Sequence, residues 1–400
     1  MDAPLIRPPR LLTDGDRGVS RLELFFDLAY VLVVAQLAAN LAKDLTAEGL
    51  AVFAGLFAVT WWSWVTTTLY ANRFDTNDVL YRLGKLSATV AVLGMAASAP
   101  DATGHRSAVF ALSYLLTRVV LFALYARAYR HVVRARRTIA IYLAGTGAGG
   151  TLWLISLAVP GHARFALWAA GILVEALAPV AATRFGGNVP LHLEHLPERF
   201  GLFVILVLGE SVASVATGVH DTHWTAAPVA VALVCFAAVA AMWWNYFDLG
   251  GAAGKQKLVT SDDDEEGGVA DAYVYAHLPL TLGLAVAAIG IEQFVVHADS
   301  QTGTLARWML PAGAALFLTG TAAVLAGTAR HWRAAWPWPV AAIPFALLAA
   351  VPAALPPVAT ASAVTVVLIL AVLSGIRAQR NGALQTTATK RTYSQSAEHL

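Results

Sequence analysis

Repeated apolar runs of about 20 residues are the strongest constraint on how this chain folds. They recur from residue 22 to residue 377, and each is long enough to cross the roughly 30 Å hydrocarbon core of a bilayer as a helix. Charged residues make up only 13% of the 400 residues, whereas a soluble domain carries about 25%. We therefore predict an all-α polytopic integral membrane protein that contacts the lipid bilayer.

The hydropathy pattern predicts about 12 transmembrane helices. Arg and Lys test this number, because they are enriched in cytoplasmic loops. With the N- and C-termini cytoplasmic, most basic residues fall on the cytoplasmic side, and the opposite side keeps Lys43, Arg106, Arg164 and Arg307. The predicted spans are 22–42, 48–70, 79–98, 107–127, 138–159, 163–183, 200–219, 224–247, 273–297, 308–329, 336–355 and 359–377.

An internal similarity divides the membrane region into halves. "LPERFGLFVILVLGES" in span seven aligns with "RLELFFDLAYVLVVAQLA" in span one, and "WWNYFD" after span eight matches the Trp-Trp and Phe-Asp pairs of span two. Six helices per half predict two parallel repeats about an axis along the membrane normal. The predicted segments are a cytoplasmic N-terminal segment 1–20, halves 21–184 and 185–377 with an acidic cytoplasmic loop 250–270, and a disordered cytoplasmic tail 378–400.

Several ionisable residues fall inside predicted spans, where a charge costs about 2.5–3.5 kcal/mol at the helix centre. Glu23 and Asp27 are four residues apart and share a face of the first helix, while Gln36 lies deeper. Glu210 is near mid-membrane and is followed by Ser211. We expect these five residues to belong to a transport path or buried polar site. Its other members are Glu175, Glu198, Arg199, Asp248, His277 and Glu292.

A structural alternative remains for each of these residues, namely a single interhelical hydrogen bond or an ion pair that fixes packing. Arg118 and Lys85 are the basic residues inside spans, and their acidic partners stay open at this point. Gly145 and Gly149 in span five form a GxxxG pattern, which is typical of close helix contact.

Signatures of soluble enzymes are missing from the sequence: it contains no phosphate-binding GxxxxGK[ST] loop, no HExxH and no CxxC. The histidine clusters "HLEH" and "HDTH" lack the spacing of a known metal site. We predict no cofactor, no metal and no catalytic residue. The net charge of +2, without a basic stripe, argues against a nucleic-acid partner, and the start of the chain lacks the apolar region of a cleavable signal peptide.

Taken together, "RLELFFDLAYVLVVAQLA", "HLPERFGLFVILVLGES", "WWNYFD" and "YAHLPLTLGLAVAAIGIE" make the chain resemble the bacterial low temperature requirement protein A family from about residue 20 to residue 376. The resemblance implies a multi-pass protein of the bacterial inner (plasma) membrane, linked to growth in the cold. It implies no biochemical activity. The family-like polar residues here are Glu23, Asp27, Gln36, His195, Glu198, Arg199, Glu210, Ser211, Asp248, His277 and Glu292.

Three functions remain open. The first is a channel or secondary transporter for a small cation, proton or polar solute, with a path past Asp27, Glu210, His277 and Glu292. The second is a membrane-embedded enzyme acting on lipids, with a phosphate or metal held at the cytoplasmic side. The third is a sensor or scaffold whose buried polar groups only fix helix packing. We favour the first, which is not an enzyme, and leave the oligomeric state open.

Overall fold

The part of the chain that the structure describes folds into a bundle of long helices with one two-stranded sheet. The computed structural model describes residues 5–12, 18–187, 189, 191–220, 222, 224–259, 266–300, 303–329 and 355–397. Eleven helical segments in this part of the chain are long and apolar enough to cross a membrane. The predicted all-α polytopic fold is therefore confirmed.

From α1 to α8 the helices follow one another with connections of at most about ten residues. A π-helical turn, Asn245–Leu249, joins α8 to α9, so that both belong to one crossing. The bounds are α1 Arg21–Lys43, α2 Ala47–Arg73, α3 Val79–Ser98, α4 Ser107–His131, α5 Arg136–Ser156, α6 Ala163–Phe185, α7 His195–His220, α8 Ala226–Trp244, α9 Gly250–Val259, α10 Glu266–Val296, α11 Ala306–Ala329 and α12 Pro357–Ala397.

Eleven of the predicted spans correspond to these crossings, with ends that differ by a few residues. The remaining one, 336–355, lies almost wholly outside the described residues, as does most of the acidic run 259–268. The number of 12 spans and the cytoplasmic location of both termini therefore stay predictions. Helix α12 continues to Ala397, into the predicted tail, whose disorder also stays a prediction.

Local sequence fixes the start of α1. The hydroxyl of Ser20 accepts the backbone N–H of Glu23 at 3.3 Å, and Oε2 of Glu23 accepts the backbone N–H of Ser20 at 2.9 Å. This reciprocal capping box satisfies N–H groups that the first turn of a helix leaves unpaired. Glu23 thus has a structural task, and it begins the helix that carries Asp27.

We call the side of the bundle on which α1 begins the N-side; α2 ends there, and α3 and α7 begin there. In the first half, α1 packs against α2 and α3, and α3 against α4. In the second half, α7 packs against α8 and α10, and α10 against α11. The pairing order is the same in both predicted halves, contacts of α10 with α1 and α2 join them, and the repeat itself stays a prediction.

Small residues allow close helix approach, as the GxxxG pattern predicts for α5. A Cβ atom on Gly145 would lie 2.7 Å from Cβ of Ala178 on α6, and one on Gly149 would lie 2.5 Å from Cγ of Glu175. The backbones of α5 and α6 therefore approach to a distance that only glycine permits.

The N-terminal segment packs on the N-side. Strand β1 (Arg10–Leu11) pairs antiparallel with β2 (Phe74–Asp75), which directly follows α2. Asp78 caps α3 by accepting the backbone N–H of Tyr81 at 3.0 Å and also accepts the backbone N–H of Arg7 at 3.0 Å. The guanidinium of Arg127 binds both carboxylate oxygens of Asp78. One carboxylate thus joins the N-terminal segment, α3 and α4.

Candidate functional site

Five ionisable side chains are buried together near the N-side of the bundle. Each is at most 4% exposed, and they come from α1, α3 and α7. Asp27 and Lys85 each lie six residues into their helices, about 9 Å from the helix start. We call the group the charged cluster; its members are Glu23, Asp27, Lys85, His195 and Arg199.

Asp27 is the central acceptor of the charged cluster. Its Oδ1 accepts a hydrogen bond from Nε1 of Trp64 at 2.8 Å and another from Nη2 of Arg199 at 2.9 Å. Its Oδ2 has no hydrogen-bond partner among the residues that the structure describes. The ion pair joins α1 to α7, so it links the two predicted halves.

The two bases of the cluster keep unused donors. Nε and Nη1 of Arg199 are buried without an acceptor in the described part of the chain. The ammonium of Lys85 lies 3.6 Å from the centroid of the Phe26 ring, a cation–π contact. Lys85 is near enough to Glu23 and Asp27 for electrostatic attraction, but it forms no ion pair within 4 Å with a described residue.

His195 completes the cluster at the first residue of α7. Its Nδ1 lies 3.5 Å from a carboxylate oxygen of Glu198, one helical turn further on. Glu198 itself is 46% exposed, so this carboxylate borders the solvent while His195 is buried. The pair connects the interior of the cluster to the N-side surface.

A second buried group, the arginine network, lies near the middle of the bundle. Arg118 on α4 pairs with Glu175 on α6 at 3.0 Å, and the hydroxyl of Tyr114 also donates to Glu175 at 3.0 Å. Hydroxyls of α2 face the same guanidinium. The network consists of Tyr30, Ser63, Thr66, Tyr114, Thr117, Arg118 and Glu175.

Every N–H direction of Arg118 has an acceptor. Nε donates to Thr117, Nη1 to Thr66 and Glu175, and Nη2 to the hydroxyl and carbonyl oxygens of Ser63. Such full satisfaction is what a buried charge needs in order to persist in a low dielectric. The arginine network therefore differs from the charged cluster, which retains unused donors.

His277 forms a third polar group, one aromatic layer from the charged cluster. It shares a hydrogen bond of 2.9 Å with the hydroxyl of Tyr246, and its ring packs edge-on to Phe200 at 4.8 Å. Phe200 also packs edge-on to Trp64, the donor to Asp27. Tyr246 belongs to the π-helical turn, a distortion often found at functional sites.

The remaining predicted site residues lie apart from these groups or at their edges. Glu210 and Glu292 are half-buried and close enough for their carboxylates to repel each other. Ser211 is buried, Gln36 is half-buried, and Asp248 is exposed within the π-helical turn. The structure thus brings Glu23, Asp27 and Arg199 together, pairs Glu175 with Arg118, and places Glu210 beside Glu292.

Several residues of these sites were missed from the sequence. They are Trp64, which binds Asp27, the α2 hydroxyls of Ser63 and Thr66, and the tyrosines Tyr30, Tyr114 and Tyr246. One signal was present in the sequence: "WWSWVTTTLY" places five hydroxyl side chains within a membrane span. Such a run on an otherwise apolar helix indicates polar contacts with neighbouring helices.

Two adjoining cavities open on the side opposite to the N-side. One measures about 510 Å³ and is lined by Glu48, Gly55, Val59 and Trp168 among others. The other, of about 440 Å³, shares Glu48 with the first. Both follow the first turns of α2, the helix that also carries Ser63 and Trp64.

In the described residues, no group of three or more His, Cys, Asp or Glu side chains has metal-binding geometry. Asp221 and His223 of the "HDTH" motif lie outside the described residues.

Comparison with known proteins places the chain in a family. Residues 18–374 match the family model of the bacterial low temperature requirement A protein, a match that covers nearly all of the membrane region that the structure describes. The chain belongs to the bacterial low temperature requirement A family. It is also 30% identical over 313 residues to an uncharacterized protein of Rhizobium meliloti (strain 1021), covering 75% of each chain. The family resemblance seen in the sequence is confirmed.

The sequence motifs of this family contribute residues to the charged cluster. The two motifs that carried the resemblance, "RLELFFDL" and "HLPERFGLF", are 170 residues apart along the chain but form the starts of α1 and α7. They supply Asp27 and Arg199, the partners of the 2.9 Å ion pair. The low temperature requirement A motifs therefore meet in three dimensions at the charged cluster.

Proposed function

We propose that this multi-pass protein is a secondary transporter of the bacterial plasma membrane for a small cation, proton or polar solute, and that the charged cluster is its solute or coupling-ion site. One observation carries the proposal. Asp27, Lys85 and Arg199 are buried inside membrane-spanning helices, yet they keep unused hydrogen-bonding atoms. Ionisable residues at such depth are costly, and those that serve packing alone are expected to be fully paired, as Arg118 is.

Helix α2 suggests the route. Its first turns line the two cavities, and Val59 lies at the inner end of the larger one. One turn later Ser63 belongs to the arginine network, and Trp64 binds Asp27 of the charged cluster. A single helix thus connects the opposite side of the bundle to the N-side through a series of polar groups. Residues 59 to 64 of α2 are buried. In the proposed transporter, the path is therefore closed along this part of α2.

The arginine network supports a structural task for some buried polar groups. Every N–H direction of Arg118 has an acceptor, and Oε2 of Glu175 accepts from Arg118 and Tyr114, whereas Oε1 of Glu175 has no hydrogen-bond partner among the described residues. The donors of this network therefore fit a scaffold that holds α2, α4 and α6. A sensor or scaffold function for the whole protein would require the charged cluster, too, to serve packing alone. The unused hydrogen-bond donors of the cluster argue against this.

Flux through the purified protein tests the proposal. We would measure uptake of potassium, sodium and protons in proteoliposomes for the wild type, Asp27→Asn and Glu210→Gln. Glu194→Gln is the matched control, because Glu194 is an exposed carboxylate in the connection before α7. The expected result is flux in the wild type and the control that disappears in Asp27→Asn while the variant stays monodisperse in detergent.

Two results would count against this function. Equal flux in Asp27→Asn and the wild type would remove the charged cluster from the path. Absence of flux for every ion and for small organic solutes, together with a similar loss of stability from each polar substitution, would favour the scaffold function.

A further inference from the structure

The charged cluster contains more unused hydrogen-bond donors than acceptors. Among the described residues, Nε and Nη1 of Arg199 are buried without an acceptor, and the ammonium of Lys85 lies over the Phe26 ring without a hydrogen bond or an ion pair. Against these donors stands one buried unpaired carboxylate oxygen, Oδ2 of Asp27. A buried donor without an acceptor is costly, so the cluster is complementary to a group rich in acceptor oxygens.

One oxygen of each neighbouring carboxylate already accepts hydrogen bonds from other groups. Oε2 of Glu23 accepts the backbone N–H and the hydroxyl of Ser20, at 2.9 and 3.0 Å. Oδ1 of Asp27 accepts from Trp64 and Arg199. Both acids are therefore held by groups other than Lys85, which leaves its ammonium with attraction from a distance but no hydrogen bond.

The chemistry of the two bases indicates which group would fit. A guanidinium presents two N–H groups in a fixed fork that matches the oxygens of a carboxylate or phosphate, and an ammonium adds a compact positive charge. Arg199 keeps Nε and Nη1 free for acceptors, because Asp27 occupies only Nη2. These two nitrogens lie on either side of Nη2, so each can donate to an oxygen of the bound group or pair with the remaining N–H of Nη2. The other charged or titratable groups at the site are His195 and Glu198, which face each other at 3.5 Å.

We propose that Lys85 and Arg199 bind the oxyanion group, a carboxylate or phosphate, of the solute that this protein carries. The proposal rests on the proposed function, since it names the solute class of the same site. A free small anion and the phosphate of an anionic lipid headgroup share this chemistry. The cluster lies within two helical turns of the N-side, which both sources reach, and Glu198 marks the border with solvent.

Binding to the purified full chain tests the proposal independently of transport. Isothermal titration calorimetry in a nonionic detergent would use three probes: sodium phosphate, sodium acetate and short-chain phosphatidylglycerol, at constant ionic strength set with choline chloride. We expect saturable binding of at least one probe to the wild type. Phosphate or acetate binding identifies a free anion as the solute class, and binding of phosphatidylglycerol alone identifies a lipid headgroup.

Lys85→Met removes the ammonium while an apolar side chain stays against Phe26, and it should weaken binding by about tenfold or more. Lys85→Arg keeps the charge and should retain most of the affinity. Arg82→Met is the matched control, because Arg82 is exposed on the same helix less than one turn earlier. Lys85→Gln gives a second neutral variant, so that the conclusion does not depend on the folding of one protein.

Two outcomes would overturn the oxyanion site: no binding of any probe to the wild type, or equal affinities for the wild type, Lys85→Met and Lys85→Gln. These outcomes are distinct from failure of the proposed function. Anion binding without any flux would contradict transport and leave the site intact. Cation flux without anion binding would leave transport intact and remove the site.

Discussion

Arg118 and Glu175 lie 3.0 Å apart on α4 and α6, in the interior of the bundle. The side chain of Glu175 packs against α5 at Gly149, because glycine has no side chain that would occupy this space. The GxxxG pattern of α5 and the buried ion pair are therefore parts of one arrangement. Close approach of α5 and α6 places the carboxylate where Arg118 and Tyr114 reach it.

Gly149→Ala should destabilise the protein through this arrangement. The added Cβ would lie 2.5 Å from Cγ and 2.8 Å from Oε1 of Glu175, so the ion pair with Arg118 must shift. We expect a loss of about 1–3 kcal/mol, typical of overpacking. Gly150→Ala on the same helix is the control, because its nearest contacts lie at 4.0 Å and alanine favours a helix. Thermal unfolding in detergent measures both, and equal melting temperatures would contradict the predicted clash.

The ion pair between Asp27 and Arg199 should give strongly non-additive mutations. Arg199→Gln leaves a buried carboxylate and Asp27→Asn leaves a buried guanidinium, so each single change should cost about 3–5 kcal/mol. The double variant leaves neither charge uncompensated and should cost less than the sum of the two. Denaturant unfolding in mixed micelles gives all four free energies. Additive effects would mean that the 2.9 Å pair carries no coupling.

Trp64→Phe isolates the hydrogen bond to Asp27. Phenylalanine keeps an aromatic ring between Phe200 and Phe203 but removes the Nε1 donor that lies 2.8 Å from Oδ1. We expect a loss of about 1.5–3 kcal/mol, as for a hydrogen bond to a charged acceptor. Trp61→Phe is the comparison, since Trp61 is equally buried and its Nε1 has no partner among the described residues. The stability loss of Trp64→Phe minus that of Trp61→Phe gives the contribution of the hydrogen bond to Asp27. Equal losses would contradict a stabilising bond.

Acid should release the N-terminal segment from the N-side. Arg127 and the backbone N–H groups of Arg7 and Tyr81 outweigh partial burial and lower the pKa of Asp78 from 3.8 to about 2. A lowered folded-state pKa stabilises the fold above the unfolded value, and this contribution is lost as the pH falls from about 4 to about 2. Asp78 lies just before α3, outside the membrane spans.

Limited proteolysis of the segment before α1 checks this prediction. Pepsin, which works in acid, should cut the wild type faster at pH 2 than at pH 4 relative to an unstructured control peptide. Asp78→Asn should be cut quickly at both pH values, because it lacks the charge that Arg127 binds. If the ratio of the cleavage rates at pH 2 and pH 4 is the same for the wild type and Asp78→Asn, then Asp78 is not the group that titrates.

The sequence predicted the membrane-spanning helices more completely than the contacts within the candidate site. Apolar runs identified eleven crossings, because a bilayer requires a fixed length of apolar helix with its backbone bonds satisfied internally. The ELFFDL and ERFGLF motifs identified the family and, with it, Asp27 and Arg199. The partners of Lys85 and Arg118 stayed open, since a helical period gives the face of a residue and not the helix that packs there.

Composition and hydropathy by themselves determined that this chain is a multi-pass helical membrane protein, and its motifs determined the low temperature requirement A family. Only the tertiary structure decided that Arg118 pairs with Glu175, that Asp27 pairs with Arg199, and that the Lys85 ammonium lies over the Phe26 ring. The reason is physical: insertion into a bilayer depends on properties summed along each helix, whereas the partner of a buried charge depends on how helices distant in sequence pack together.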